Sequence, residues 1–299
     1  MQKFSGVWPA LVTPSNADNT INENVLRALI DYHIDKGVNG FYVGGTTGEG
    51  VFMPAAQRKQ LAEVTLKHIN GRVPVILHVG AVSTEEAIGL AQHGRDQGIV
   101  GFSSIIPPLY NSVDSIIRYY ERLAASVDLP FLAYLLNPSL DAYALINRLT
   151  HIPNLAGTKY TGPNMWEFRR ILEVGGEDWI MFSGMDEQAV YAAMMGSCGA
   201  IGSTGNIMPG AYMKILAHVA AGEYAEAQKV QEQANEVISA MIDVNFPGAL
   251  KYLIGKLIGE DLGNPRLPGM PLTDEQKAEL ERRLAATEFT ALAALSADS

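Results

Sequence analysis

Short apolar runs rich in β-branched residues alternate with longer helical patterns along most of this chain, and that alternation constrains the fold more than any single motif. The short runs fall at residues 6–12, 40–43, 73–79, 101–106, 129–135, 155–159, 179–182 and 200–201. Helical patterns occupy residues 23–36, 55–69, 84–97, 112–126, 140–150, 164–174, 187–195 and 211–221. A buried strand followed by a helix, repeated, is the signature of a parallel sheet built from βαβ units. Eight repeats predict an α/β fold of the (β/α)8 TIM-barrel type over residues 1–222, with residues 223–299 as a C-terminal helical extension packed on the barrel. The extension reads as three or so helical segments from Tyr224 to about Leu284, interrupted by the loop 263–271. A doubly wound open sheet is the competing arrangement, disfavoured because no G-x-G-x-x-G follows any of the strands.

With 299 residues, 47% of them hydrophobic and 18% charged, the chain can bury a large core, which excludes a disordered chain or a small disulfide scaffold. A formal net charge of −10 opposes both the phosphate backbone and anionic lipid, so neither nucleic acid nor a membrane surface is an expected partner. Cys198 is the one cysteine, so no intrachain disulfide is possible. With no signal-peptide pattern in residues 1–19, a cytoplasmic location is expected. The uncharged stretch 188–213 has the length of a membrane span, but Gly196, Gly199, Gly202, Gly205 and Pro209 divide it into helix, buried strand, loop and helix.

In such barrels the chemistry lies at the C-terminal ends of the strands. The second run ends in Gly44-Gly45-Thr46-Thr47-Gly48-Glu49-Gly50, a turn whose amides and hydroxyls suit a carboxylate or phosphate, although a plain tight turn would read the same. The sixth ends in Lys159-Tyr160-Thr161-Gly162. A lysine closing an apolar run is either a desolvated amine able to form a Schiff base or an ion-pairing group at the rim. Tyr134 ends the fifth run, beside Lys159, as a proton shuttle or a core residue. The seventh leads into Ser183-Gly184-Met185-Asp186-Glu187 and the eighth into Gly202-Ser203-Thr204-Gly205-Asn206. Carboxylates and small hydroxyls there fit a polyhydroxylated substrate, whereas Asp186 and Glu187 could instead cap a helix, and the last loop could hold phosphate.

The six histidines show no metal-binding spacing, and no metal or other cofactor is expected. His78, in Leu77-His78-Val79-Gly80, reads as a structural histidine.

Taken together, Gly45-Thr46-Thr47-Gly48-Glu49, then Tyr134, then Lys159, in that order between about Gly6 and Leu257, resemble the dihydrodipicolinate synthase and N-acetylneuraminate lyase superfamily of pyruvate-dependent class I aldolases. The resemblance implies that Lys159 forms a Schiff base with pyruvate or a 2-oxo acid and that Tyr134 moves a proton at the aldol hydroxyl. It also implies that Gly45, Thr46 and Thr47 bind the carboxylate of pyruvate. Tyr110 matches the tyrosine that family members lend across a dimer interface, which implies a homotetramer built as a dimer of dimers. Thr161, Gly184, Asp186, Glu187 and Ser203 match positions around the sugar chain in the lyase branch, the closer likeness. That branch implies reversible cleavage of a 2-oxo sugar acid, N-acetylneuraminate foremost, to pyruvate and an aldehyde.

The chain departs from the family in two places. No arginine follows Tyr134, which counts against the synthase reaction, and Tyr134-Leu135-Leu136-Asn137-Pro138 carries one residue more than the family's Tyr-Asn-Ile-Pro. Gly205 also stands where the lyase loop has tyrosine. A shorter 2-keto-3-deoxy sugar acid is therefore a competing substrate, and a sugar-acid-binding regulatory barrel without turnover is the competing non-enzyme reading.

Overall fold

A computed structural model describes residues 4–298; residues 1–3 and 299, the outer ends of the two expected segments, lie outside the described residues. Eight parallel strands form one sheet: β1 (Gly6–Val7), β2 (Phe41–Val43), β3 (Val75–His78), β4 (Gly101–Ile105), β5 (Phe131–Leu136), β6 (Leu155–Thr161), β7 (Ile180–Ser183) and β8 (Gly199–Ala200). Neighbours in the chain are neighbours in the sheet, and β1 pairs with β8. A parallel bridge between Ala10 and Tyr42, with the Leu11 amide donating to Tyr42 O at 2.9 Å, closes the ring. The fold is the TIM barrel expected from the strand count.

Between the strands run α1 (Glu23–Asp35), α2 (Ala55–Ile69), α3 (Thr84–Gln97), α4 (Val113–Ala124), α5 (Ala142–Leu149), α6 (Met165–Gly175) and α7 (Ala189–Met195), and α8 (Pro209–Ala220) follows β8. Several starts are written in the local sequence. Asn22, Ser83, Asp141 and Asn164 each accept a backbone N–H of the first helical turn, supplying partners that the helix itself cannot. The uncharged stretch 188–213 divides as expected, into α7, β8, a 3-10 turn and the start of α8. Among the described residues no helix is long and apolar enough to cross a membrane.

The C-terminal segment forms α9 (Tyr224–Val244), α10 (Phe246–Ile258), α11 (Asp274–Leu284) and α12 (Phe289–Ala294). The last of these extends beyond the expected end near Leu284. Its six residues carry too short a pattern to register as a helix, and burial of Leu292 and Ala293 holds it in place.

Two layers of apolar side chains result from the alternation along the strands. Residues facing outward, such as Phe41, Val75, Phe131 and Met181, pack against the helices. Those facing inward, Trp8, Tyr42, Ile76, Leu132, Tyr134, Phe182 and Ile201, fill the barrel itself. Phe4 stacks on Trp8 at 5.9 Å, and Phe182 meets Trp8 edge-on at 5.8 Å. The interior is therefore a packed plug.

His33 of α1 lies fully buried against Phe41, their ring centroids 5.9 Å apart, and the Asn206 side chain, which favours its charged form, opposes burial only in part. Burial lowers its pKa to about 3, so the folded protein holds it neutral while the unfolded chain protonates it below about pH 6.5. A depressed basic pKa makes acid destabilising: stability is lost as pH falls from the unfolded value toward the folded one. We expect His33→Leu to remove this dependence. Relative to the variant, the wild-type protein should lose about 1.4 kcal/mol per pH unit below about pH 6.5, read by urea unfolding. Parallel profiles for the two proteins would disprove it.

Candidate active site

Lys159 sits at the top of the plug because β5, β6 and β7 are in register: it is opposite Tyr134 on one side and Phe182 on the other. It is buried, with Nζ 4.2 Å from the centre of the Tyr134 ring and 4.4 Å from that of Tyr42. Removal from water lowers its pKa to about 7, although the nearby Asp186 carboxylate pulls the other way. A substantial fraction of the amine is thus neutral, and nucleophilic, near neutral pH.

Tyr42 was not among the residues expected at the site. Its signal was the alternation of Phe41-Tyr42-Val43, which turns residue 42 inward while its neighbours face the helices. Its hydroxyl bonds to Ser103 Oγ at 3.1 Å, which holds the ring beside the lysine.

Burial also raises the pKa of the Tyr134 phenol, and the hydroxyls of Thr46 and Thr161 that face it work in the opposite direction. The Thr161 hydroxyl is buried and satisfies hydrogen-bond geometry with no described group. Gly184 packs against it: a Cβ there would come within 1.8 Å of Thr161 Oγ1 and 3.0 Å of Lys159 Cε, so only glycine leaves these groups in place.

Thr46 and Thr47 ride on the turn after β2, closed by the Gly50 amide donating to Gly45 O at 3.1 Å and the Glu49 amide to Thr46 O at 3.0 Å. Thr47 Oγ1 lies 2.7 Å from Ser203 Oγ, joining this turn to the loop after β8. Glu49 adopts left-handed backbone (φ +59°), and its buried carboxylate pairs with Lys251 Nζ at 3.2 Å and Arg266 Nε at 3.8 Å. Lys251 Nζ also donates to Asn264 O at 3.0 Å. The C-terminal extension therefore clamps the turn that carries the threonines.

Asp186 has an internal partner: its Oδ2 accepts from both the amide and the hydroxyl of Thr204 at 2.7 Å, pinning the β8 loop to the end of β7. Its pKa rises to about 6, chiefly through burial, and the Thr204 bonds oppose that rise. Glu187 is half-buried beside it, in the 3-10 turn that precedes α7.

His78 is structural, as read. It donates from Nδ1 to Gly44 O at 3.1 Å and accepts the Ile105 amide at Nε2, also at 3.1 Å, so it bridges β2 and β4. Burial and the nearby Arg58 and Lys159 cations keep it neutral. Tyr110 occupies a different place, its hydroxyl 3.2 Å from Thr84 Oγ1 and its ring against Tyr119.

Thr161 and Gly184, which pack beside Lys159 and Tyr134, border a cavity of about 260 Å³ lined also by Asn137, Asp186, Glu187 and Ser203, and by Ile238, Ile242 and Phe246 from α9 and α10. These last three are invisible to strand-end reasoning, because they come from the extension.

The arrangement brings a neutral amine, a phenol and the hydroxyls of the Thr46-Thr47 turn to one end of the barrel. Residues 3–287 match the model of the dihydrodipicolinate synthetase family. An N-acetylneuraminate lyase of Rhizobium meliloti (strain 1021) is 31% identical over 287 residues, covering 95% of each chain. The structure of Proteus mirabilis N-acetylneuraminate lyase superposes with a TM-score of 0.90 at 32% identity, over 96% of this chain and 100% of that one. That of YagE from E. coli K12, a family member in complex with pyruvate, gives 0.87 at 28% identity, over 94% and 98%. With its family model matched over nearly its whole length and its barrel shared with these lyases, the chain belongs to the dihydrodipicolinate synthetase family.

Proposed function

We propose that this protein is a class I aldolase that reversibly cleaves a 2-oxo sugar acid to pyruvate and an aldehyde, with N-acetylneuraminate, giving N-acetylmannosamine, as the leading substrate. The observation that carries the reading is the buried Lys159 amine, with its pKa lowered to about 7, in register with Tyr134 at the mouth of a barrel. The substrate's carboxylate lies against the Gly45-Thr46-Thr47 turn. The Lys159 amine adds to the 2-oxo carbon, water leaves, and a protonated imine forms. That cation accepts the electron pair of the C3–C4 bond as it breaks. The C4 hydroxyl loses its proton to the Tyr134 oxygen, and an aldehyde departs. The remaining enamine takes a proton at C3, and hydrolysis releases pyruvate and the free lysine.

Because burial holds the Tyr134 phenol protonated, it relays protons: it accepts from the C4 hydroxyl as it gives its own proton onward, with Thr46 the neighbouring hydroxyl. In this reading Tyr110 completes the relay in a second copy of the chain, which assembles as a homotetramer. Thr161, Glu187 and Ser203 face the sugar chain, while Asp186 holds the loop that carries Ser203. A shorter 2-keto-3-deoxy sugar acid is the second reading, favoured by Gly205 in the β8 loop.

Borohydride reduction in the presence of pyruvate should leave a covalent adduct on Lys159, located by peptide mass analysis. Its rate of formation should fall about tenfold from about pH 8 to about pH 6 as the amine protonates. No adduct at that residue would remove the mechanism. Tyr134→Phe should still be trapped by pyruvate but cleave roughly a hundredfold more slowly, the weight of a positioned proton-transfer group. Undiminished turnover would assign the proton transfer elsewhere. Analytical ultracentrifugation should show a tetramer; a fully active monomer would take Tyr110 out of the site.

A further inference from the structure

Asn137 lines the cavity one residue beyond the end of β5. Its backbone is left-handed (φ +40°), a conformation that asparagine tolerates better than other non-glycine residues, and it is followed by Pro138. The strand ladder fixes it there. Leu136 is paired with Thr161, and the Asn137 amide donates to Thr161 O at 2.7 Å, so the backbone turns away immediately beyond the last bond between β5 and β6. Its side chain is exposed at the rim of the cavity, and among the described residues no protein group holds the carboxamide in place. Unusual backbone held by its surroundings beside a site is a ground for asking what the side chain does there.

Position along the strand sets what it can meet. Asn137 is three residues beyond Tyr134, roughly 10 Å at the rise of a β-strand, with Thr161 at an intermediate level. Since the Lys159 amine lies against the Tyr134 ring, a molecule joined to it spans that distance only through a long chain. The residues lining the cavity include Asp186 and Glu187 but neither lysine nor arginine, so a phosphate or a second carboxylate at the far end would find like charge and no counter-ion. A carboxamide, which offers two donors and an acceptor, is suited to hydroxyl or acylamino groups.

We propose that Asn137 is a specificity-determining residue which reads the distal, uncharged part of a long 2-oxo sugar acid and so sets the preference for chain length. The assignment rests on the aldolase reading above. Hydrogen-bonding groups left without a partner by a shorter substrate give it its discriminating power.

Asn137→Gly keeps the left-handed turn and deletes the amide, and Asn137→Asp keeps its shape while removing the N–H donors. For both, kcat/KM with N-acetylneuraminate should fall about tenfold, the worth of a lost hydrogen bond in a polar site. Turnover of a six-carbon 2-keto-3-deoxy sugar acid and borohydride trapping of pyruvate on Lys159 should stay within about twofold of wild type. Equal losses with long and short substrates would make Asn137 a loop-shaping residue and overturn the proposal, as would an unchanged preference in both variants. Failure of wild-type protein to trap pyruvate on Lys159 would instead overturn the aldolase reading beneath it, and would be seen before any variant is made.

Discussion

The exclusion of water from Lys159 is the constraint on which the rest of the site depends. An amine of ordinary basicity would be almost wholly protonated at neutral pH and unable to attack a carbonyl. The barrel changes that by filling its own interior. Trp8, Phe182, Ile76 and Leu132 leave no room for solvent below the lysine, and the rings of Tyr42 and Tyr134 flank its amine. Those rings have a second effect, since their faces attract a cation, and in the proposed mechanism they retain the protonated imine on Lys159. In that mechanism burial favours the neutral nucleophile beforehand, and the aromatic faces hold the charged intermediate afterwards.

Holding the hydroxyl groups in place is a separate problem, solved by buried charge. Glu49, Lys251 and Arg266 come from a strand-end turn, a helix of the extension and a loop, and they meet where water is scarce. Removing one member of such a cluster leaves an uncompensated charge, so its main consequence is to fix the relative position of the elements that supply it. The C-terminal helices accordingly belong to the candidate site in two ways: they clamp the threonine turn, and Ile238, Ile242 and Phe246 wall the cavity. Across the mouth, Asp186 does for the β8 loop what Glu49 does for the β2 turn. A Cβ at Gly202 would come within 1.5 Å of its Oδ1, so glycine is what lets the carboxylate reach Thr204.

His78 and Arg58 show how the same end of the barrel is kept rigid. Arg58 donates to the carbonyls of His78 and Gly80, each at 2.9 Å, and so satisfies the end of β3 where the strand ladder stops. His78 then ties that strand to Gly44 and Ile105 on either side. Kept neutral, the imidazole can donate from one nitrogen and accept at the other, which is what bridging a carbonyl and an amide requires.

By itself the sequence determined the architecture and the chemical alphabet of the site. Eight strand–helix repeats specify a barrel because the periodicity of buried positions is local, and a barrel presents strand ends at one face, so Lys159, Tyr134 and the Thr46-Thr47 turn could be placed there from their positions alone. What the tertiary structure decided were the quantities that depend on residues far apart in the chain. Whether Lys159 is desolvated depends on Trp8 and Tyr42; whether Asp186 faces inward depends on Thr204; whether Glu49 is exposed depends on Lys251. The short helix Phe289–Ala294 was equally unreadable, since its stability comes from the surface that it covers. Local pattern fixes which element a residue joins, but dielectric and partnership arise only when distant elements pack together, and the reactivity of the lysine is set by those two.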